Sequence, residues 1–375
     1  MPDLLKGLEA RDWGRRRASI ESLLLEPEEI YLPRLEEALA DHANADLRNA
    51  AMEAYRSAGR KALPSLLKLL KSPDHEVRIF AANLLGDIGE KEAVSHLIRA
   101  LKDPDANVRI AGAEALGRIG ERRAVHALGW AIDDAWRSGR PWPAMAAMDA
   151  LAEIGGREAL EILIKCVKKN VYLEMALDAL ERIGGREAIK AVSEFIESEE
   201  LRELALKAIV NIAERLGDRF MPEYFMRLAP MLLEIYKSPK FEVKKAALMA
   251  LSWAEDVRAV FALIDSVAEE ELQEYALKGL LKLGKKSVQP LIDSIKDKET
   301  PERATLARFL SIMGEYEALL QFAGDREPEI RLEAALAAGK VSSKRAIKVL
   351  SALSKDAERE VRSAARKTLM KIEKK

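Results

Sequence analysis

Two consecutive stretches decide the fold: SPDHEVRIFAANLLGDIGEKEAVSHLIRALKD, from Ser72 to Asp103, and DPDANVRIAGAEALGRIGERRAVHALGWAIDD, from Asp103 to Asp134. They share one order of polar, apolar and glycine positions, so they are two copies of a single unit. In the first copy, apolar residues recur every three or four positions up to Gly89, and the same period restarts after it. This spacing places one apolar stripe on each of two helices. The unit is therefore predicted to be a helical hairpin.

Each predicted helix has a start or stop signal. In Ser72-Pro73 and Asp103-Pro104 an oxygen that can cap amide groups precedes a proline, whose missing N–H is tolerated in a first helical turn. The first helix is predicted to begin there, and also at Ser238-Pro239 and Thr300-Pro301. A glycine follows the first helix, where a left-handed turn favours glycine. These glycines stand at positions 89, 120, 155, 184, 284 and 314.

The unit recurs along most of the chain. The apolar residue before the turn is found at Ala58, Ile88, Ile119, Ile154, Ile183, Ile212, Ala254, Leu283, Met313, Val341 and Ile372. Most steps are 28 to 31 residues, and two are longer, at 35 and 42. A period this steady predicts stacked units that share an interior.

We therefore predict an all-α fold, an α-α superhelix (solenoid) of about twelve two-helix repeats, continuous over residues 1–375. Residues 1–40 are predicted to be a degenerate capping repeat, in which Trp13, Ile20, Leu23 and Leu24 cover the first interior face. Residues 356–375 are predicted to be a charged closing helix.

Composition narrows the possible roles. Lys and Arg number 61 and Asp and Glu 62, so the net charge of −1 gives no global attraction to nucleic acid or anionic lipid. The single cysteine, Cys166, allows no internal disulfide and is predicted to be a buried structural thiol. No signal peptide or long apolar run is evident, which predicts a soluble cytoplasmic protein. Abundant Lys and Glu with few Gln and Asn are typical of thermophilic proteins.

The pattern resembles HEAT-repeat proteins, and more narrowly the short units first noted in phycobilin lyases. The resemblance runs from about Asp41 to the C-terminus and is sharpest between Leu70 and Ile132. It implies the fold but no single activity, because this fold hosts scaffolds, transport receptors, lyases, hydroxylases and DNA glycosylases.

A row of cations occupies one equivalent position near the start of the first helix in successive repeats. Its members are Arg48, Arg78, Arg109, Arg202, Lys244, Arg303, Arg331 and Arg362. Such a row could track phosphates. However, a loop acid lies one turn away in Asp74…Arg78 and Asp105…Arg109, which favours a structural ladder of bidentate pairs between repeats. The resemblance implies the same role.

A second basic row opens the second helices: Arg60, Lys91, Arg122, Arg157, Arg186, Lys285 and Lys344. Acids follow several of these cations directly. A solvated edge is therefore favoured over an anion-binding ridge.

The two long steps are the candidate sites, because loops of a solenoid vary without disturbing its stack. The 35-residue step contains GWAIDDAWRSGRPWPAM, residues 129–145. Its candidate partner-binding residues are Trp130, Trp136, Arg137, Arg140 and Trp142, a mixture typical of interface hot spots; the alternative is a locally enlarged core.

The 42-residue step holds aromatic and methionine residues between Phe220 and Met249. They form either an adaptable apolar groove or, as we favour, the filling beside a longer second helix.

Enzyme chemistry is not predicted. Only four histidines exist, at 42, 75, 96 and 126, and the one His-Glu pair, His75-Glu76, falls short of the several that the iron hydroxylases of this fold use. A glycosylase could use the residues Trp130, Asp133, Asp134, Trp136 and Arg137, but the balanced charge supplies no strong field for DNA. A bilin lyase rests on analogy alone. No phosphate-binding loop or nucleophile elbow is present, and we predict no catalytic, cofactor or metal site.

The predicted function is a non-enzymatic scaffold. The stacked second helices would form a concave face, with the Trp/Arg segment at its rim, that docks an extended peptide or a helix of a protein partner. No membrane or small-molecule partner is predicted. The alternative is nucleic-acid binding through the second basic row, recognisable by affinity that collapses with salt.

Overall fold

A computed structural model of the chain describes residues 7–8, 12–217, 222–297, 302–341 and 343–373. Every regular element in this part of the chain is an α-helix or a short 3-10 helix, with no strand among them. None of the helices in the described ranges is both long and apolar enough to cross a bilayer. The prediction of an all-α repeat fold is confirmed.

The chain forms two compact units, Met1–Glu194 and Phe195–Lys375. Unit 1 contains α1 (Trp13–Leu23), α2 (Glu28–Leu39), α3 (Ala45–Ala58), α4 (Leu63–Leu69), α5 (His75–Ile88), α6 (Val94–Ala100), α7 (Ala106–Ile119), α8 (Val125–Arg137), α9 (Pro141–Ile154), α10 (Arg157–Lys168), α11 (Leu173–Ile183) and α12 (Gly185–Ser193). Unit 2 contains α13 (Arg202–Leu216), α14 (Pro222–Tyr236), α15 (Phe241–Leu251), α16 (Val257–Asp265), α17 (Gln273–Leu283), α18 (Lys285–Lys296), α19 (Arg303–Ile312), α20 (Tyr316–Leu319), α21 (Pro328–Ala338), α22 (Lys344–Leu353) and α23 (Arg359–Glu373). Continuity of one array through both units stays a prediction.

Helix α5 illustrates how the repeat sequence becomes structure. Its buried side chains include Val77, Ala81 and Leu84, which lie on the predicted apolar stripe. Each such leucine contributes about 2 kcal/mol by leaving water. The helix ends at Gly89, whose φ of 78° and ψ of 13° are left-handed, as predicted. The odd-numbered helices up to α21 are the first helices of the hairpins, and the even-numbered helices are the second helices.

The predicted helix starts are two residues too early. Helices α5 and α7 are capped by Asp74 and Asp105, whose carboxylates accept backbone amide hydrogens of the first turn. Ser72 accepts the amide hydrogen of Asp74, so the Ser-Pro dipeptide forms the turn that precedes the helix. An aspartate placed just after the proline is itself a strong N-cap, and this moves the proline out of the helix. Thr300-Pro301 lies outside the described residues.

Two glycines inside first helices allow close packing of successive repeats. A Cβ atom at Gly86 of α5 would lie 2.7 Å from the Cα of Ala115 in α7. One at Gly117 of α7 would lie 2.9 Å from the Cα of Ala150 in α9. Real Cβ contacts are longer, so α5, α7 and α9 approach to a distance that only glycine permits at these positions.

The two ends of the chain carry buried apolar residues on their inner sides. Ile20 and Leu23 of α1 are buried, and Leu24 is half-buried. The side chain of Trp13 lies outside the described part. In α23, Val361 and Ala365 belong to the same core cluster as Leu350 of α22. The assignment of residues 1–40 and 356–375 as caps stays a prediction.

Candidate partner-binding surface

The 35-residue step is a lengthened second helix. Helix α8 has 13 residues, whereas α6, its counterpart in the preceding repeat, has 7. The added turns carry Trp136 and Arg137. The chain then turns at Gly139, whose φ is 65°, and α9 begins at Pro141.

All three tryptophans of this segment reach the surface. Trp130 is 36% exposed, Trp136 48% and Trp142 63%. The Nζ atom of Lys102 lies 4.8 Å from the centre of the Trp130 ring. Trp136 packs edge-to-face on Tyr172 with ring centres 5.2 Å apart. These exposures favour a surface over an enlarged core, and the assignment of these residues to partner binding stays a prediction.

The two arginines lie in different surroundings. Arg137 donates from Nε to the carbonyl of Asp133, one turn back on its own helix, and its side chain is exposed. Arg140 lines a small cavity together with Arg109 and Asp134. Trp130 lines a different cavity, so the five predicted residues do not form a single cluster.

The cavity beside Trp130 is a groove between the second helices α8 and α10. It has a volume of about 280 Å³ and is lined by His126, Gly129, Trp130, Asp133, Ile162, Lys165, Cys166, Lys169 and Val171. Its size suits one or two side chains of a partner. Burial raises the pKa of the Cys166 thiol to about 11, so the thiol stays protonated and unreactive at neutral pH.

The first row of cations joins neighbouring hairpins. Arg78 binds both carboxylate oxygens of Asp103, at 2.8 and 2.9 Å, and also donates to the carbonyl of Ser72 at 2.9 Å. Its side chain is only 12% exposed. Arg331 repeats this arrangement on Asp356 and the carbonyl of Asp325.

The acid that pairs with Arg78 is not the predicted one. Asp74, one turn before Arg78, instead accepts hydrogen bonds from the start of α5 and from His42. The carboxylate on Arg78 comes from the following loop, because the guanidinium is directed towards the next hairpin.

Three further members of this row donate to carbonyls of their own loops. They are Arg109, Arg202 and Arg362, bonded to residues 103 and 104, 196 and 197, and 356 and 357 respectively. These contacts favour the structural interpretation over phosphate binding.

Several cations of the second basic row are also paired. Arg60 contacts Glu92 at 2.6 Å, and Lys91 contacts Glu121 at 3.1 Å, in each case an acid of the next repeat. These pairs favour the solvated edge over an anion-binding ridge.

The 42-residue step contains a long second helix, α14, of 15 residues. Phe225 is fully buried, and its ring centre lies 5.7 Å from that of Trp253. Met226 is 45% exposed. Phe220 and Met221 lie outside the described residues. The buried Phe225 favours the interpretation of this segment as filling.

One histidine has a role that sequence reasoning missed. His42 lies between two carboxylates, with Nε2 2.6 Å from Asp74 and Nδ1 3.0 Å from Glu76. Hydrogen bonding to Asp74 is the largest of the effects that raise the pKa of this imidazole. His42 and these acids are more than 30 residues apart, and nothing local in the sequence signals the contact. Within the described ranges, no group of three or more His, Cys, Asp or Glu residues is arranged to hold a metal ion.

Comparison with known proteins identifies the repeat. The sequence matches HEAT repeats over residues 63–142 and 316–375, and the PBS lyase HEAT-like repeat over residues 144–169. No curated protein matches the chain.

Solved structures give the same fold. The karyopherin Kap121p, bound to the extreme C-terminus of the protein phosphatase Cdc14p, is similar with a TM-score of 0.58 and 13% identity over 97% of this chain and 49% of that chain. Kap121p bound to Nup53p is similar with a TM-score of 0.57 and 13% identity over 97% and 48%. This chain therefore spans about half the length of these relatives, and at such identity the likeness concerns the fold alone.

Proposed function

We propose that this chain, in which residues 63–142 and 316–375 match HEAT repeats, is a protein-binding scaffold whose partner docks on the second helices of unit 1, the face predicted to be concave. The observation that carries the proposal is the exposure of three tryptophans within thirteen residues, Trp130, Trp136 and Trp142, of which Trp130 lines the groove between α8 and α10. Partly exposed tryptophans next to arginine are the residues that most often dominate binding energy at interfaces.

The chemistry of the groove supports binding over catalysis. Its cysteine is held as a thiol, since burial raises the pKa of Cys166 to about 11. The nucleic-acid alternative loses support because several cations of both basic rows are engaged, as in Arg78 with Asp103 and Arg60 with Glu92. A protein partner is therefore favoured over nucleic acid.

A cross-linking experiment followed by titration tests the proposal. Trp142, the most exposed of the three indoles, is replaced by a photoreactive phenylalanine analogue, and the cross-linked protein is identified by mass spectrometry. The purified partner is then titrated against the wild type and the Trp136→Ala/Arg137→Ala variant. We expect the double variant to weaken binding by at least ~10-fold, because truncation of a hot spot costs about 2 kcal/mol.

The matched control is Phe261→Ala. Phe261 is an aromatic residue of comparable exposure, 47%, on the second helix α16 of unit 2. We expect this variant to bind like the wild type. Unchanged affinity of the Trp136/Arg137 variant would contradict the proposal, as would a fall of its melting temperature by more than about 5 °C, which would identify these residues as core.

A further inference from the structure

Positive charge collects where successive second helices of unit 1 meet. Lys71 follows α4, and His96 and Arg99 lie on α6. Burial lowers the pKa of His96, and the charges of Arg99 and Lys71 lower it further, so both cations lie near the imidazole. At the next contact, Lys102 lies over the ring of Trp130 in α8.

The third contact, between α8 and α10, continues the same charge. Lys165 and Lys169 line the groove together with Trp130. Asp133 is the acid that lines it. All three charges lie around the same cavity, which Cys166 also lines.

The five cations named along these contacts lack the ion pairs that several other cations of unit 1 make. Among the residues that the structure describes, Lys71, Arg99, Lys102, Lys165 and Lys169 have no carboxylate within ion-pair distance, whereas Arg60, Arg78 and Lys91 are paired. In a chain whose net charge is −1, this is a local excess of positive charge. Such an excess, set along a groove, attracts an anionic partner.

We infer that this basic groove, from Lys71 to Lys169, binds an acidic extended segment of a partner protein, with carboxylates on the lysines and an apolar side chain against Trp130. The inference rests on the proposed function. The groove crosses three intervals between neighbouring second helices of about 9 Å each. An extended chain rising ~3.3 Å per residue covers that distance with roughly eight residues.

The observations favour a peptide over a nucleic acid. A single strand binds along an uninterrupted basic channel, with successive bases stacked on a series of aromatic side chains. Here Asp133 interrupts the positive charge, and Trp130 is the aromatic residue that lines the cavity. A peptide can place a backbone N–H opposite Asp133 and its carboxylates on either side.

The test uses the full chain and a fluorescein-labelled twelve-residue peptide in which Glu alternates with Leu and Ala, followed by anisotropy at low salt. Its matched ligand replaces every Glu with Gln. We expect the Gln peptide to bind at least ~10-fold more weakly, and raising the salt to about 0.5 M to abolish the difference by screening.

The protein variants locate the binding. Lys165→Glu/Lys169→Glu reverses two cations in the groove and is expected to weaken binding of the Glu peptide by at least ~10-fold, as the sum of several partly exposed ion pairs. The control, Lys344→Glu/Lys348→Glu, changes the net charge equally on two exposed lysines with the same spacing on α22 of unit 2. We expect the control to change the affinity less than about twofold.

Three results would overturn the inference: equal binding of the Glu and Gln peptides, equal losses in the two charge variants, or tighter binding of a labelled twelve-nucleotide oligothymidine that Lys165→Glu/Lys169→Glu abolishes. The last would assign the groove to nucleic acid. If the Glu peptide fails while the cross-linked partner remains sensitive to Trp136 and Arg137, the acidic segment alone is withdrawn and the scaffold function stands.

Discussion

Arg303 is expected to be the most consequential cation for the stability of unit 2. Its side chain is 2% exposed, and it pairs with Asp325 and Glu327 of the loop before α21. Its Nε also donates to the carbonyl of Ile295 in α18. The guanidinium therefore joins three consecutive hairpins.

Arg303→Ala leaves two carboxylates without this cation. Removing one partner of a buried ion pair costs about 3 to 5 kcal/mol. The loss falls mainly on Asp325, which is 10% exposed, because Glu327 is 29% exposed and keeps Arg326 at 3.8 Å. Asp325 still accepts the amide hydrogen of Glu327 at 3.0 Å. We therefore expect the lower end of the range, about 3 kcal/mol.

Native-state hydrogen exchange measures this loss locally. A loss of 3 kcal/mol raises the exchange rate of protected amides in α19 and α21 by roughly 150-fold. The control is Arg258→Ala, because Arg258 pairs with Asp256 at 2.6 Å but is 57% exposed. Solvent screens that pair, so we expect no measurable change in exchange. A change below about tenfold for Arg303→Ala, or equal changes for the two variants, would refute the reasoning.

Three further outcomes are expected. Proton NMR should place the pKa of His42 above 6.5, chiefly because of its hydrogen bond to Asp74, and Asp74→Asn should lower this pKa; an unshifted pKa would argue against the contact. Because the folded-state pKa is raised, the contact stabilises the fold below pH 6.5, and this stabilisation is lost as the pH rises through the folded-state pKa. Cys166, with its pKa raised to about 11, should react with a disulfide reagent at pH 7.5 only after unfolding, and rapid reaction of the native protein would show an open thiol. Gly86→Ala should destabilise the fold by about 1 to 3 kcal/mol through overpacking, despite a helix-propensity gain of up to about 1 kcal/mol. The control Gly14→Ala should not destabilise it, because a Cβ atom there meets its nearest atom at 3.4 Å. Thermal unfolding of both variants measures the difference, and equal effects would contradict the close approach of α5 and α7.

The fold could be predicted because its determinants are local and repeated. The apolar stripe around Leu84 and the turn at Gly89 each depend on a few neighbouring residues, and recurrence along the chain removes the ambiguity of any single copy. The interior glycines Gly86 and Gly117 were missed, although they stand one repeat apart. Their role depends on the distance between two neighbouring helices, and the sequence of one helix does not determine that distance.

The sequence indicated the segment that carries the exposed tryptophans, but it did not indicate how these side chains are arranged. Trp130 and Trp136 are six residues apart on one helix, which at about 100° per residue separates them by roughly 240° around its axis. They therefore contact different neighbours, Lys102 and Tyr172. The pairing of Arg78 with Asp103 was also beyond the sequence, because it depends on how one hairpin is placed against the next.

The contact between Arg78 and Asp103 gives the row of hairpins a direction along the chain, and this direction matters if the protein is shortened. The cation belongs to the earlier hairpin and the carboxylate to the later one. Deleting hairpins from the C-terminal side would leave an arginine that keeps its loop carbonyls, as Arg362 does, and whose long side chain can extend into water. Deleting hairpins from the N-terminal side would remove the counter-ion of a short, partly buried aspartate. Shortened variants should therefore be made by deletion from the C-terminal side.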